Sequence, residues 1–163
     1  MSEEATTITK IAMSAVLQMT KPLAAMSPQA VAAVAQLEEQ VLQCPQVEIP
    51  TEHAFHAGTY ARTIMLKKDV VLTGALIKIP TILIISGDVL VYTDEGPVRM
   101  TGYNVMLGKA GRKQAFVAMQ DTFLTMVFAT DAKTVEEAEE EFTAEADRLF
   151  SRKDGAENTV MEA

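Results

Sequence analysis

Between Val47 and Thr130 the apolar residues come in short β-branched runs, broken every few positions by glycine, proline, aspartate or asparagine, and this pattern limits the fold more than any other feature. Runs of this length read as strands. The candidates are Thr59 to Leu66, Val70 to Ile77, Ile82 to Ile85, Val89 to Thr93, Val98 to Thr101, Asn104 to Leu107, Gln114 to Ala118 and Thr122 to Ala129. Asp94-Glu-Gly-Pro97 has the composition of a hairpin turn, and Ser86-Gly-Asp88 predicts a tight reversal between two buried strands. So many short strands at short, regular spacing argue against a parallel α/β sheet. They predict a β-sandwich or a barrel of the jelly-roll kind.

Helical periodicity frames this region on both sides. Ile8, Ile11, Ala12, Ala15 and Met19 share one stripe, and Ala30, Val34, Leu37 and Val41 share another. Ser27 before Pro28 predicts the start of the second helix, with serine as cap and proline at the first helical position. Its end is predicted near Cys44-Pro45. After the strands, Val135 to Phe150 reads as a helix. Thr134 and Glu137 have capping-box spacing, and Val135, Ala138, Phe142, Ala146 and Leu149 fall on one face, with Glu136, Glu139, Glu140 and Asp147 opposite. The organisation is thus an N-terminal helical segment over 1–46, a barrel over 47–132, an acidic helix over 133–151 and a flexible polar tail over 152–163.

The net charge of −8 is unevenly placed: residues 134–163 carry −7 of it, and the rest of the chain is close to neutral. Nucleic-acid binding requires a basic face to displace phosphate counterions, and this distribution argues against it. No apolar run approaches the ~20 residues that span a bilayer, and Glu3 and Glu4 stand where a secretory signal has basic residues, so no membrane and no export signal are expected. The single cysteine, Cys44, excludes an internal disulfide and a thiolate metal cluster, and it reads as a packing residue.

Candidates for chemistry are few. His53 and His56, the only histidines, lie with Glu52 in Glu52-His-Ala-Phe-His56, a stretch read as an irregular lead-in. They are weak candidates for a metal site, because catalytic metals take rigid ligands from more than one element. A structural role is favoured, with one histidine packed and the other facing solvent. Gly108-Lys-Ala-Gly-Arg-Lys113 is the most basic spot in the chain; its three charges read as a solvated turn, with anion binding as the alternative. Ten methionines, five of them in the strand region, suit an adaptable interior.

The order of strands, turns and glycines from Leu37 to Phe142 resembles the cupins, and in particular small cupin-like proteins encoded by tailed bacteriophages. The stretches that carry it are Pro45-Gln-Val-Glu-Ile-Pro50, Glu52-His-Ala-Phe-His-Ala-Gly-Thr-Tyr-Ala-Arg62, the Ser86 to Gly96 hairpin, and Asp121 to Asp131 running into an acidic helix. A metal-binding member places two histidines and a glutamate before the glycine that matches Gly87. Here Gly74, Ala75, Leu76 and Ile77 occupy the histidine zone, Pro80 stands at the glutamate and Thr81 beside it. In the second motif the expected proline matches Lys109 and the third histidine matches Gln114. The resemblance therefore implies a mainly β, cupin-like jelly-roll barrel with N-terminal helices and a C-terminal amphipathic helix, without the metal chemistry. Because the replacements are mostly apolar, a filled interior is expected.

These readings lead to a non-enzymatic protein without a cofactor, acting in a virion or the host cytoplasm as a phage structural or assembly component. Its expected contacts are copies of itself and phage capsid or tail proteins, with Val135, Phe142 and Leu149 as oligomer contacts. The alternative is an accessory protein that binds a small molecule or a host protein in the barrel, through a pocket at Tyr60, Arg62, Tyr103 and Gln114. A metal-dependent enzyme is the least favoured reading.

Overall fold

The computed structural model describes residues 22–162, so the predicted first helix, Ile8 to Met19, lies outside the described residues. In chain order the elements are β1 (Pro22–Leu23), α1 (Pro28–Val41), β2 (Thr51–His56), β3 (Thr59–Leu66), β4 (Val71–Thr73), β5 (Thr81–Thr93), β6 (Gly96–Gly108), β7 (Ala115–Ala118), β8 (Thr122–Ala129), α2 (Val135–Phe142) and β9 (Asn158–Glu162). Two short 3-10 turns, Ala146–Arg148 and Phe150–Arg152, follow α2.

Strand β5 joins the two sides of the barrel. It pairs along its whole length with β6, while its other edge pairs first with β8, through Ile82 to Ser86, and then with β7, through Val89 to Val91. One layer continues from β8 through β3 and β2 to β9, and the other continues from β7 to β4. This is a mainly β jelly roll, closed over a core of Leu66, Ile85, Val89, Val91 and Ala118. A second cluster joins the barrel to α2: Tyr60, Phe128, Ala138 and Phe142 pack together, with Phe128 and Phe142 edge to face at 6.0 Å between centroids. Burying Phe142 in this way stabilises the fold by about 1.5–3 kcal/mol.

Both helix starts follow their sequence signals. Ser27 Oγ accepts a hydrogen bond from Ala30 N at 3.2 Å, with Pro28 at the first helical position. Thr134 and Glu137 form the reciprocal capping box. The Asp94-Glu95 turn links β5 and β6, with Thr93 opposite Gly96.

The predicted tight reversal at Ser86-Gly-Asp88 is not there. Gly87 sits inside a continuous strand opposite Gly102, with φ of +148° and +73° respectively, so a pair of glycines absorbs the bend while the ladder runs on. The same pairing merges Val98 to Thr101 and Asn104 to Leu107 into one strand, β6. Thr51–His56, read as irregular, is strand β2, fully registered with β3. The tail assigned to disorder carries β9, parallel to β2. Its side chains are exposed along the whole strand, which removes the alternation that would have announced it, and Asn158 anchors it by donating from Nδ2 to Ser151 O at 2.9 Å. The C-terminal helix stops at Phe142, because Thr143 turns extended and swings Glu145 back to accept a bond from Leu76 N at 2.8 Å.

Candidate functional site

A cavity of about 480 Å3 lies at the barrel, open on one side, where the end of α1 and the segment after α2 complete its rim. Ile64, Leu83, Phe116, Leu124 and Met126 give it apolar walls, and Arg62, Arg112, Gln114 and Glu145 bring polar groups to it. The interior is therefore not filled as the apolar replacements in the first motif had implied. Gly74 and Ala75 line the cavity where the resemblance places histidines, and side chains this small leave volume that larger ones would take. Gly74 is fixed by its backbone, donating from N to Gln114 O at 2.8 Å.

Of the four predicted pocket residues, the structure brings Arg62 and Gln114 to the cavity. Tyr60 is fully buried, but it lies in the aromatic cluster against Phe55 and Phe128. Tyr103 is 57% exposed on the outer surface, opposite Ser86. Its placement in the pocket is thus incorrect, because its register gives it outward parity.

Arg62 reaches across to α2. Its Nη1 donates to Glu139 Oε1 at 2.7 Å and its Nη2 to Ser151 Oγ at 3.0 Å. Glu139 also accepts from Ser151 and from Arg152 Nε, and Arg152 Nη2 bonds Glu136 O at 3.0 Å. Burial by itself raises the Glu139 carboxyl, but the bonds from Ser151 and Arg152 and the charge of Arg62 outweigh it and hold the group below its ordinary value. The helical wheel had put Glu139 on the solvent face. The structure buries it completely, because the next layer supplies two arginines that no local pattern reveals. The same packing corrects the proposed oligomer contacts. Phe142 is buried within its own chain and Leu149 packs against the same cluster, which leaves of the three only Val135, half-buried at the first turn of α2.

The two histidines do not converge. Three positions apart on β2, they point to opposite faces. His53 is fully buried, 2.7 Å from the Tyr60 hydroxyl through Nδ1 and 2.8 Å from Asn158 Oδ1 through Nε2. Since Asn158 Nδ2 donates to Ser151, its Oδ1 accepts from His53, which puts the imidazole proton on Nε2. Tyr60, raised to about 12 chiefly by burial, stays protonated and donates to Nδ1. Both ring nitrogens are thereby committed to a lock between β2, β3 and β9.

Burial also lowers the His53 pKa from 6.5. The unfolded imidazole binds a proton below about 6.5 while the folded one resists, so unfolding takes up a proton and stability falls as pH drops from that value to the lower folded one. The melting temperature is accordingly expected to decline between pH 6.5 and 5, above the carboxylate range. His53→Gln should be less stable at pH 7 but flatter across that window in a thermal denaturation series. An unchanged slope in the variant would remove His53 as the cause.

The basic turn is the largest departure from the sequence reading. Arg112 and Lys113, taken as solvated, are 2% and 1% exposed. Lys113 Nζ is 3.0 Å from Glu145 and 3.1 Å from Glu38 on α1, so it ties both flanking segments to the barrel. Arg112 lies flat over Gly108, where a Cβ would sit 2.4 Å from its guanidinium carbon; its Nη1 donates to Lys109 O and its Nη2 to Thr81 Oγ1. Lys109 alone of the three is exposed. Cys44, read as packing, is exposed and also lines the cavity.

A second surface lies on the outside of the sheet. Strand registers across β6, β5, β8 and β3 align Leu107, Ile82, Val127 and Ala61, then Val105, Ile84, Thr125 and Thr63, then Tyr103, Ser86, Phe123 and Met65. The Thr63 and Thr125 hydroxyls meet at 2.8 Å, as neighbours on one face do. No position in this grid is charged. Leu107 is 54% exposed and Phe123 52%.

No protein-family profile and no curated protein matches this chain. Among solved structures it is similar to a cupin superfamily protein from Desulfitobacterium hafniense, at 10% identity over 54% of this chain and 83% of that one, with a TM-score of 0.43. It is also similar to a cupin 2 conserved barrel domain protein from Salinispora arenicola (14% identity, 55% and 81% covered, TM-score 0.43) and a cupin-2 domain containing protein from Shewanella frigidimarina (6%, 57% and 91%, 0.41). These likenesses are of fold alone. The chain has a mainly β, cupin-like jelly-roll fold, on the strand order set out above.

Proposed function

We propose that this is a non-enzymatic assembly protein of the tailed-phage type, whose copies associate through the uncharged outer face of the sheet. The observation that carries the reading is the grid of twelve uncharged residues across β6, β5, β8 and β3, in which Leu107, Ile82, Phe123 and Tyr103 are exposed. Sheets with one face in water normally show polar residues there, and an apolar face of this extent marks a contact surface. The occupant we assign is a second copy. On a chain of net charge −8, two copies repel one another except where an uncharged patch lets them meet, and a two-fold contact brings the same face from each. The phage setting, with capsid or tail proteins as further partners and a virion or host cytoplasm as location, rests on the sequence signatures between Leu37 and Phe142. No described helix is long and apolar enough to cross a membrane.

The test is the oligomeric state of the full chain by sedimentation, with Leu107→Glu and Phe123→Glu beside it. Wild type should form a closed oligomer. Each variant places like charges opposite one another and should weaken association by ~100-fold or more while circular dichroism stays unchanged. A wild-type monomer at high concentration would remove this reading.

The cavity supports a second reading, in which the barrel binds a small molecule. Its volume falls within the range of ~300–1,000 Å3 typical of such sites, with apolar walls and a few placed polar groups.

A further inference from the structure

Apart from Lys153, which is exposed with its ammonium over the Phe150 ring, the cations around the cavity fall into two classes. Arg62 is paired with Glu139, Lys113 with Glu38 and Glu145, and Arg148 with Glu38 and Glu39. Arg112 is different. It lines the cavity at 2% exposure, its bonds go only to a backbone carbonyl and a threonine hydroxyl, and its Nε has no hydrogen-bond partner among the described residues. No carboxylate of the described residues pairs with it.

Desolvation alone accounts for its lowered pKa of about 10, with no acidic neighbour acting on it, so the guanidinium is still charged at neutral pH. A buried charge without a counterion is among the most unfavourable arrangements in a folded protein, and it is retained where something else supplies the opposite charge. Gly108, against which the guanidinium lies, leaves the side chain room to remain beside the cavity. Gln114, buried and on the same lining, offers an amide that can donate to the same group.

We propose that the cavity binds an amphipathic carboxylate, its head on Arg112 and Gln114 and its apolar body against Leu83, Leu124 and Met126. This rests on the small-molecule reading of the barrel and names the class of ligand. Arg112 gives one hydrogen from each of Nη1 and Nη2 and keeps three N–H donors, the Nε one among them, but a single guanidinium balances one negative charge, which suits a carboxylate better than the ~1.5–2 charges of a phosphate. The apolar walls require a body that is not itself charged.

Three probes separate the parts of the inference on the full-length protein: sodium laurate, dodecanol and inorganic phosphate, each followed by calorimetry and by the shift in melting temperature. Laurate is expected to bind and to raise the melting temperature, dodecanol to bind about tenfold or more weakly for want of the charged hydrogen bond, and phosphate not to bind. In Arg112→Met the preference for laurate over dodecanol should vanish while dodecanol binding remains. The wild-type comparison stands on its own if that variant does not fold. Equal binding of laurate and dodecanol would overturn the carboxylate assignment and leave the cavity as an apolar site. Binding of phosphate as tight as laurate would overturn the amphipathic part. Binding of none of the three would remove the small-molecule reading itself.

Discussion

Glu139→Gln is expected to destabilise the protein by about 3–5 kcal/mol at neutral pH, the range for breaking a buried ion pair by removing one partner. Glutamine keeps the shape and loses the charge that Arg62 and Arg152 share. Arg152 lies near the surface and can turn to water, but Arg62 is held inside, between the cavity and the Phe142 ring 5.9 Å away. Its unpaired charge carries most of the effect. Arg62→Met in the same background should therefore restore part of the loss, and a double-mutant cycle by chemical denaturation measures the coupling. Strict additivity, with each single change below about 1 kcal/mol, would show that the pair does not hold α2 to the barrel. The same carboxylate gives an acid limb to stability. Because its folded pKa is depressed, its contribution is present above the unfolded carboxylate value and is lost as pH falls from there through the folded one.

What was legible in the chain was what local chemistry determines. Ser27-Pro28, the Thr134 and Glu137 box and the Asp94-Glu95 turn each act within four residues, and each stands where the sequence put it. Strands β3 and β8 were also read with their true limits. The errors fell where partners lie far apart in sequence. Asn158 reaches His53 across 105 residues and Arg62 reaches Glu139 across 77, and neither pairing leaves a periodic trace. Arg112 and Lys113 looked solvated for the same reason, since the acids that bury Lys113 lie on α1 and beyond α2.

The two candidate surfaces differ in how visible they were. Ile82-Leu-Ile-Ile85 is apolar on both parities, which reads as a buried strand. Leu83 and Ile85 do face the core, whereas Ile82 is exposed, so the missing alternation was the sign of an apolar outer face. The cavity left a weaker sign. The mostly apolar residues at the ligand positions of the resembled barrel, Gly74 and Ala75 among them, were read as filling the interior, but substitutions there do not say whether the space is filled. That depends on Leu83, Leu124 and Met126 from other strands, whose packing sets the volume.

Gly87→Ala is expected to prevent folding or to cost about 3 kcal/mol or more, against about 1 kcal/mol for Gly155→Ala. Both glycines have positive φ, at +148° and +77°, so both substitutions strain the backbone. At Gly155 a new Cβ meets nothing within 4 Å. At Gly87 it would stand 2.4 Å from Thr122 Oγ1 and 2.7 Å from Thr122 Cα. Thr122 cannot retreat. It is fully buried, and its hydroxyl is 3.0 Å from Asp88 N and 3.1 Å from Asp88 O, bonds that tie the start of β8 to the bend in β5. Trimming the threonine to serine should not rescue the variant, because the contact at 2.7 Å is with the main chain. Stability of the two alanine variants within about 1 kcal/mol of each other by urea denaturation would mean that β5 can shift away from β8 at this point. The bend would then be an adaptable feature of the strand and not the fixed corner that directs β5 from one sheet into the other.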